Sequence, residues 1–275
     1  MSRQTSMGSW VGAVVVVLAV VAAGVYLAYK ALHPDRPITT AAQPASASSA
    51  PASAATSPIQ HPIAQAGAPA GASTAPLPAL DNSDASVAAA LAMLAGGGDL
   101  RSLLLPQQVI ARIVATIDTL PRHELGTLML PLRTPKGAFA TTESDGQTVI
   151  SEQNAARYAP YMQIVDSADP KALVAWYVHA YPLFQQAYRQ LGYPHGYFND
   201  RLVAAIDDML AAPEPVRPAA LVRSRTFYVY ADPALESLSA GQRLLLRTGP
   251  ANEAKIKLKL RAIRFQLTGQ KLPPG

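Results

Sequence analysis

The sequence predicts a mainly α-helical domain with minor β structure, carried on a single N-terminal transmembrane helix and a disordered Pro/Ala/Ser-rich linker. Three observations lead there. Residues 10–29 form an uncharged run rich in Val, Ala and Leu; residues 37–80 contain no Asp, Glu, Lys or Arg; and beyond residue 80 apolar residues recur at helical spacing. The overall composition, 49% hydrophobic and 15% charged, averages over these unlike parts and describes none of them. Of the charged residues, only Arg3, Lys30, Asp35 and Arg36 precede residue 81. The predicted divisions are a tail over 1–9, the membrane helix over 10–29, the linker over 30–80, the helical domain over 81–269 and a second tail over 270–275.

Residues 10–29 are long enough as a helix to cross about 30 Å of hydrocarbon. Trp10 stands at one end, and Tyr26 and Tyr29 at the other, where aromatic rings sit at membrane interfaces. A cleaved secretory signal has a shorter apolar region, so an uncleaved anchor is expected, with the lipid bilayer as its partner. The expected location is the inner membrane, single-pass, with the C-terminal domain on the periplasmic side. In residues 37–80, 35 of 44 positions are Ala, Ser, Thr, Gly or Pro, which buries too little apolar surface to offset chain entropy. We expect a disordered tether there.

In the domain, Ser83 is a candidate cap for a helix that carries Val87, Leu91 and Leu94 and stops at Gly96-Gly97-Gly98. Pro106 is placed at the start of the next, with Val109, Ile110, Ile113, Val114 and Ile117 on one face. Asp145-Gly146 between short β-forming runs predicts a hairpin near 139–150, and a strand is expected near 226–230. Asp169-Pro170 opens a helix that ends before Gly192. Asn199 is read as the cap of another, with Phe198 and Val203 as its staple. Two helices finish the domain, near 239–247 and 250–267.

Several short motifs resemble a bacterial family catalogued as domain of unknown function 3014. They are Leu77-Pro78 with Leu80-Asp81 and Ser83-Asp84, the run Tyr181-Pro182-Leu183-Phe184-Gln185, Gly192-Tyr193-Pro194 followed by residues 197–202, and Ala231-Asp232-Pro233 leading to residues 238–242. The resemblance spans residues 77–267. It implies a single-pass anchored protein with a proline- and alanine-rich spacer, and it carries over no catalytic or ligand residue.

The chemistry of the chain is mostly defined by what it lacks. No cysteine is present, which excludes disulfides, thiol nucleophiles and cysteine-ligated metals. There is no phosphate-cradling glycine loop and no Gly-x-Ser-x-Gly elbow. His123-Glu124 begins like a zinc-protease helix, but Thr127 stands where a second histidine is required. No catalytic residue, metal or cofactor is expected. Asp200, Asp207 and Asp208 lie opposite Leu202, Ile206 and Met209 and are read as solvated.

Two features stand out. Tyr177, Tyr181 and Tyr188 share one helix face with Phe184, and the following loop brings His195, Tyr197 and Arg201. This set packs as core, or lines a groove for an anionic or carbohydrate-like ligand, because a buried phenol needs a partner for its hydroxyl. Residues 243–275 hold eight basic residues against Glu253 alone. Lys255, Lys257, Lys259, Arg261 and Arg264 either complement the more acidic remainder of the domain or face an anionic polymer or headgroup. Nucleic acid is not expected as a partner. The functional expectation is a domain that binds or scaffolds an envelope protein or anionic polymer. The alternatives are an envelope hydrolase or transferase with an unrecognised site, and a structural element that assembles through its own helices.

Overall fold

A computed structural model describes residues 58–66, 76–95, 100–124, 130–224 and 227–270. The expected membrane segment 10–29, the tail 1–9, all but the first residue of the tail 270–275, and most of the linker lie outside these residues. No helix among the described residues is long and apolar enough to cross a membrane.

The domain is mainly helical. In chain order its elements are α1 (Asp84–Leu94), α2 (Leu100–Leu103), α3 (Val109–Thr119), β1 (Thr141–Ser144), β2 (Gln147–Ile150), α4 (Gln153–Arg157), α5 (Ala159–Ser167), α6 (Pro170–Gln190), α7 (Phe198–Leu210), β3 (Leu221–Ser224), β4 (Phe227–Tyr230), α8 (Pro233–Glu236), α9 (Ala240–Thr248) and α10 (Pro250–Thr268). Short 3-10 turns at Ile63–Gln65 and Leu80–Asn82 precede them.

Helix α6 is the central rod. It packs on α3 and α10, and α7 lies across α3, α9 and α10. Leu91, Val109, Val114, Ile164, Phe198, Ile206, Leu245, Ile256 and Leu260 fill the interior between them. Local signals explain the ends of α6. Asp169 accepts hydrogen bonds from the amides of Lys171 and Ala172, Pro170 supplies the helical φ at the first position, and Gly192 follows at φ 115°. The helix continues through Pro182, which is exposed. Helix α9 opens with a reciprocal capping box between Ser239 and Gln242.

The β structure is two antiparallel hairpins. Asp145 and Gly146 at φ 52° and 73° make the tight turn between β1 and β2, with both central residues left-handed. The expected strand near 226–230 is β4, and it pairs with β3 in register Leu221 to Tyr230. A bridge between Val149 and Ala220 joins the two hairpins.

Three local expectations are corrected. The helix placed at Pro106 starts at Val109, because the Asp84 carboxylate, from α1, accepts the amides of Gln108 and Val109 at 2.8 Å each. Asn199 does not cap α7. Its carboxamide is buried in the first turn and engaged elsewhere, and Tyr197 holds the cap position with no side-chain bond. The predicted tether does not run free to residue 80. Residues 58–66 lie against α7 and α10, with Ala66 buried, and Leu77 and Leu80 pack on the core.

Candidate functional site

The junction between α6 and α7 gathers most of the residues singled out from the sequence. Tyr177, Tyr181, Phe184 and Tyr188 occur on one stripe of α6, and α7 brings Phe198 against it. The rings meet edge-on between Tyr177 and Phe184, with centroids 5.2 Å apart, and stacked between Phe184 and Phe198 at 5.7 Å. All three stripe tyrosines are buried, so the face is core rather than an open groove. Gly196 is dictated by this packing. A Cβ there would come 2.8 Å from Cε1 of Tyr188 and 3.0 Å from Cβ of Tyr193.

The hydroxyls of Tyr177 and Tyr181 find partners inside the domain. Tyr177 donates to Oδ1 of Asn199 at 3.2 Å, and Tyr181 donates to Oε1 of Gln185 at 2.7 Å. Burial pushes the Tyr177 phenol well up. Burial and then the neighbouring Tyr197 hydroxyl push that of Tyr181 up as well. Both are neutral hydrogen-bonding groups. Gln185 is the hub: the same Oε1 accepts the amide of Phe198 at 2.9 Å, and its Nε2 donates to the carbonyl of Gly196 at 2.7 Å. One glutamine on α6 therefore caps α7 and fixes the connecting loop.

The outer edge of the junction holds residues 58–66 as a strap. The Asp200 carboxylate accepts the amides of Gln60 at 3.1 Å and His61 at 2.6 Å. The Tyr197 hydroxyl accepts the amide of Ile63 at 2.7 Å, and Nδ2 of Asn199 donates to the His61 carbonyl at 2.8 Å. Four contacts go to main-chain groups of one segment. Asp200 was read as solvated, and Asn199 as a cap. Their partner was invisible because it lies about 140 residues away in a stretch whose composition reads as unstructured.

Arg201 belongs to a neighbouring cluster on α3. Its Nη2 donates to the Asp118 carbonyl, and its Nε lies 3.0 Å from Oδ1 of Asp118 at ion-pair distance without hydrogen-bond alignment. Arg122 and the Tyr193 hydroxyl reach Oδ2 of the same buried carboxylate at 2.6 and 3.1 Å. Two guanidiniums on one carboxylate tie the end of α3 to α7. His195, expected beside Arg201 on a groove rim, is exposed and makes no hydrogen bond or ion pair among the described residues. Asp207 pairs with Arg264, and Asp208 accepts from the Ser239 hydroxyl, with burial pushing its carboxyl up from the usual range.

The basic residues of α10 are turned mostly to internal use. Lys257 is 2% exposed and reaches the Ala212 carbonyl at 2.6 Å, Glu214 at 2.8 Å and Glu253 at 2.9 Å. Lys255 pairs with Asp166, and Lys259 donates to the Ala168 carbonyl. Arg264 is buried against Asp207. Arg261 is exposed, as are Leu258 and Phe265 on the side of α10 away from the core. The arrangement is that of a helix neutralised by its own domain, in place of a basic face turned outward. Among the described residues no group of three or more His, Asp or Glu is arranged to hold a metal ion.

The family model described as "Protein of unknown function (DUF3014)" matches residues 109–264. No curated protein and no solved structure matches the chain. The matched span opens with the first residue of α3 and closes at Arg264 in α10, so it contains the Asp118 cluster and the whole α6–α7 junction, while Leu77–Asp84 and the strap fall before it. With more than half of its length matched, the chain belongs to the DUF3014 family.

Proposed function

We propose that the chain is a single-pass inner-membrane protein whose exported helical domain binds or scaffolds a component of the bacterial envelope and catalyses no reaction. Residues 10–29 anchor it, and the linker carries the domain on the periplasmic side. The observation that supports binding is the α6–α7 junction, where Tyr197, Asn199 and Asp200 hold a polypeptide segment through its main chain. Main-chain readout of this kind is how domains dock peptides whose side chains vary. The ionisable groups support the same reading. Asp118, Asp207, Lys257 and Arg264 each bridge separate segments of the fold, which is a stabilising use of charge.

Two measurements on the full chain test this. An alkaline phosphatase reporter fused after Gly275 should be active, because that enzyme folds only after export. The chain should stay in the membrane fraction through alkaline carbonate and leave it in detergent. An inactive reporter overturns the export, and release by carbonate overturns the anchor.

A further inference from the structure

We propose that the α6–α7 junction also accepts residues 58–66 from a second copy of the chain, linking neighbouring molecules strap to domain. This rests on the reading of the junction as a polypeptide-docking site and names the partner of that site. The second copy is the occupant because its strap is a segment whose fit is already drawn: Gln60 and His61 amides on Asp200, the Ile63 amide on Tyr197, the His61 carbonyl on Asn199.

The strap is built to exchange. Its partners lie 134–140 residues away in sequence, so nothing in the contact set requires that both sides belong to one molecule. Its apolar anchoring is light. Ala66 is buried and Ile63 partly so, while Ile59 is 51% exposed, and lifting the segment uncovers little core. The strap carries no Asp, Glu, Lys or Arg, so a neighbour's copy brings no charge repulsion to Asp200. Reach is sufficient. Fully extended, the ten steps from Ala66 to Pro76 cover up to ~35 Å, against a radius of gyration of about 16 Å for a domain of this size. A segment tied to its own domain competes with an effective concentration of about the millimolar range, so exchange becomes substantial only when copies are crowded to a similar density. Confinement to a membrane surface supplies that crowding.

The absence of native cysteine makes the test clean. Full-length chains carrying Gln60→Cys are mixed with chains carrying Ala204→Cys, an exposed position one turn beyond Asp200 on α7, reconstituted in vesicles and treated with a short bismaleimide. The expected result is a covalent dimer whose yield rises with protein density. It should fall at least tenfold when the Ala204→Cys chain also carries Tyr197→Phe and Asp200→Asn. It should fall equally with Ile63→Pro in the other chain, which removes a strap amide without touching the domain. A chain carrying both cysteines that cross-links only within itself, while the mixture gives no dimer at any density, overturns the exchange and leaves the docking site standing. No cross-link in either arrangement overturns the docking site itself. A dimer indifferent to the three substitutions is collisional and overturns the exchange.

Discussion

Replacing Gln185 by leucine removes the hub of the α6–α7 junction while nearly preserving side-chain volume, so the loss is of hydrogen bonds and not of packing. Three groups are stranded together: the Tyr181 hydroxyl, the Phe198 amide and the Gly196 carbonyl, all now within 2.9 Å of the glutamine head. A buried polar group deprived of its partner costs about 1–3 kcal/mol. The Tyr181 hydroxyl can rotate towards Tyr197, which discounts its share, and the expected loss is roughly 3–5 kcal/mol. For a domain near 190 residues each kcal/mol moves the melting temperature by about 2–4 °C, so Gln185→Leu should melt roughly 6–20 °C below the parent. Gln185→Glu keeps an acceptor for Tyr181 and Phe198 but sets a buried carboxylate oxygen against the Gly196 carbonyl, so it should approach the parent only at acidic pH, where the protonated acid can donate. Far-UV circular dichroism of the full chain in detergent reads both. A leucine variant that melts within 2 °C of the parent refutes the hub.

Lys257→Met leaves Glu253 buried without its counter-charge and should cost about 3–5 kcal/mol in urea unfolding. The double change Lys257→Met with Glu253→Gln should recover most of that, and a double variant no better than the single one refutes the pairing. Asp208→Asn tests a pH dependence. Burial raises the Asp208 carboxyl above its unfolded value, so the fold favours the neutral acid. Its contribution to stability is therefore present below about pH 4 and lost as the pH climbs through the raised folded value. Asparagine, which still accepts from Ser239, should gain stability relative to the parent between pH 4 and pH 7. A constant difference across that window defeats the argument.

What could be read in the sequence was what neighbours in the chain decide between themselves. The Asp169-Pro170 start, the Gly192 stop and the Asp145-Gly146 turn each need only a few adjacent residues. The apolar faces of α3 and α6 followed from spacing alone. The junction was half legible. The tyrosine stripe announced a buried seam, and tyrosine's need for hydroxyl partners pointed to polar groups beside it. Which groups those would be was beyond local reasoning, since Gln185 serves a helix thirteen residues on and Asp84 caps one twenty-five residues on. The strap was hidden for a different reason. Composition measures the apolar surface that side chains can bury, and this segment is held by its amides and carbonyl. The basic run in α10 left two readings open, and the choice between them was not local, because its acceptors are scattered over Asp166, Ala168, Asp207, Ala212 and Glu214.

The manner in which the strap is held sets the rules by which its sequence is free to drift. Because the bonds run through the main chain, the side chains at 60 and 61 can change widely without loosening the contact, while Ile63 also packs on the core. The one replacement barred at all three is proline, which has no amide hydrogen to give. In a stretch where eight of 44 residues are proline, that makes the phase of the prolines meaningful. Pro58 and Pro62 occupy positions whose nitrogen bonds to nothing, and the three donating amides fall between and after them. A linker that looks interchangeable along its length thus contains a short reading frame. Shifting it by a single residue would set an imino acid where Asp200 or Tyr197 expects a donor.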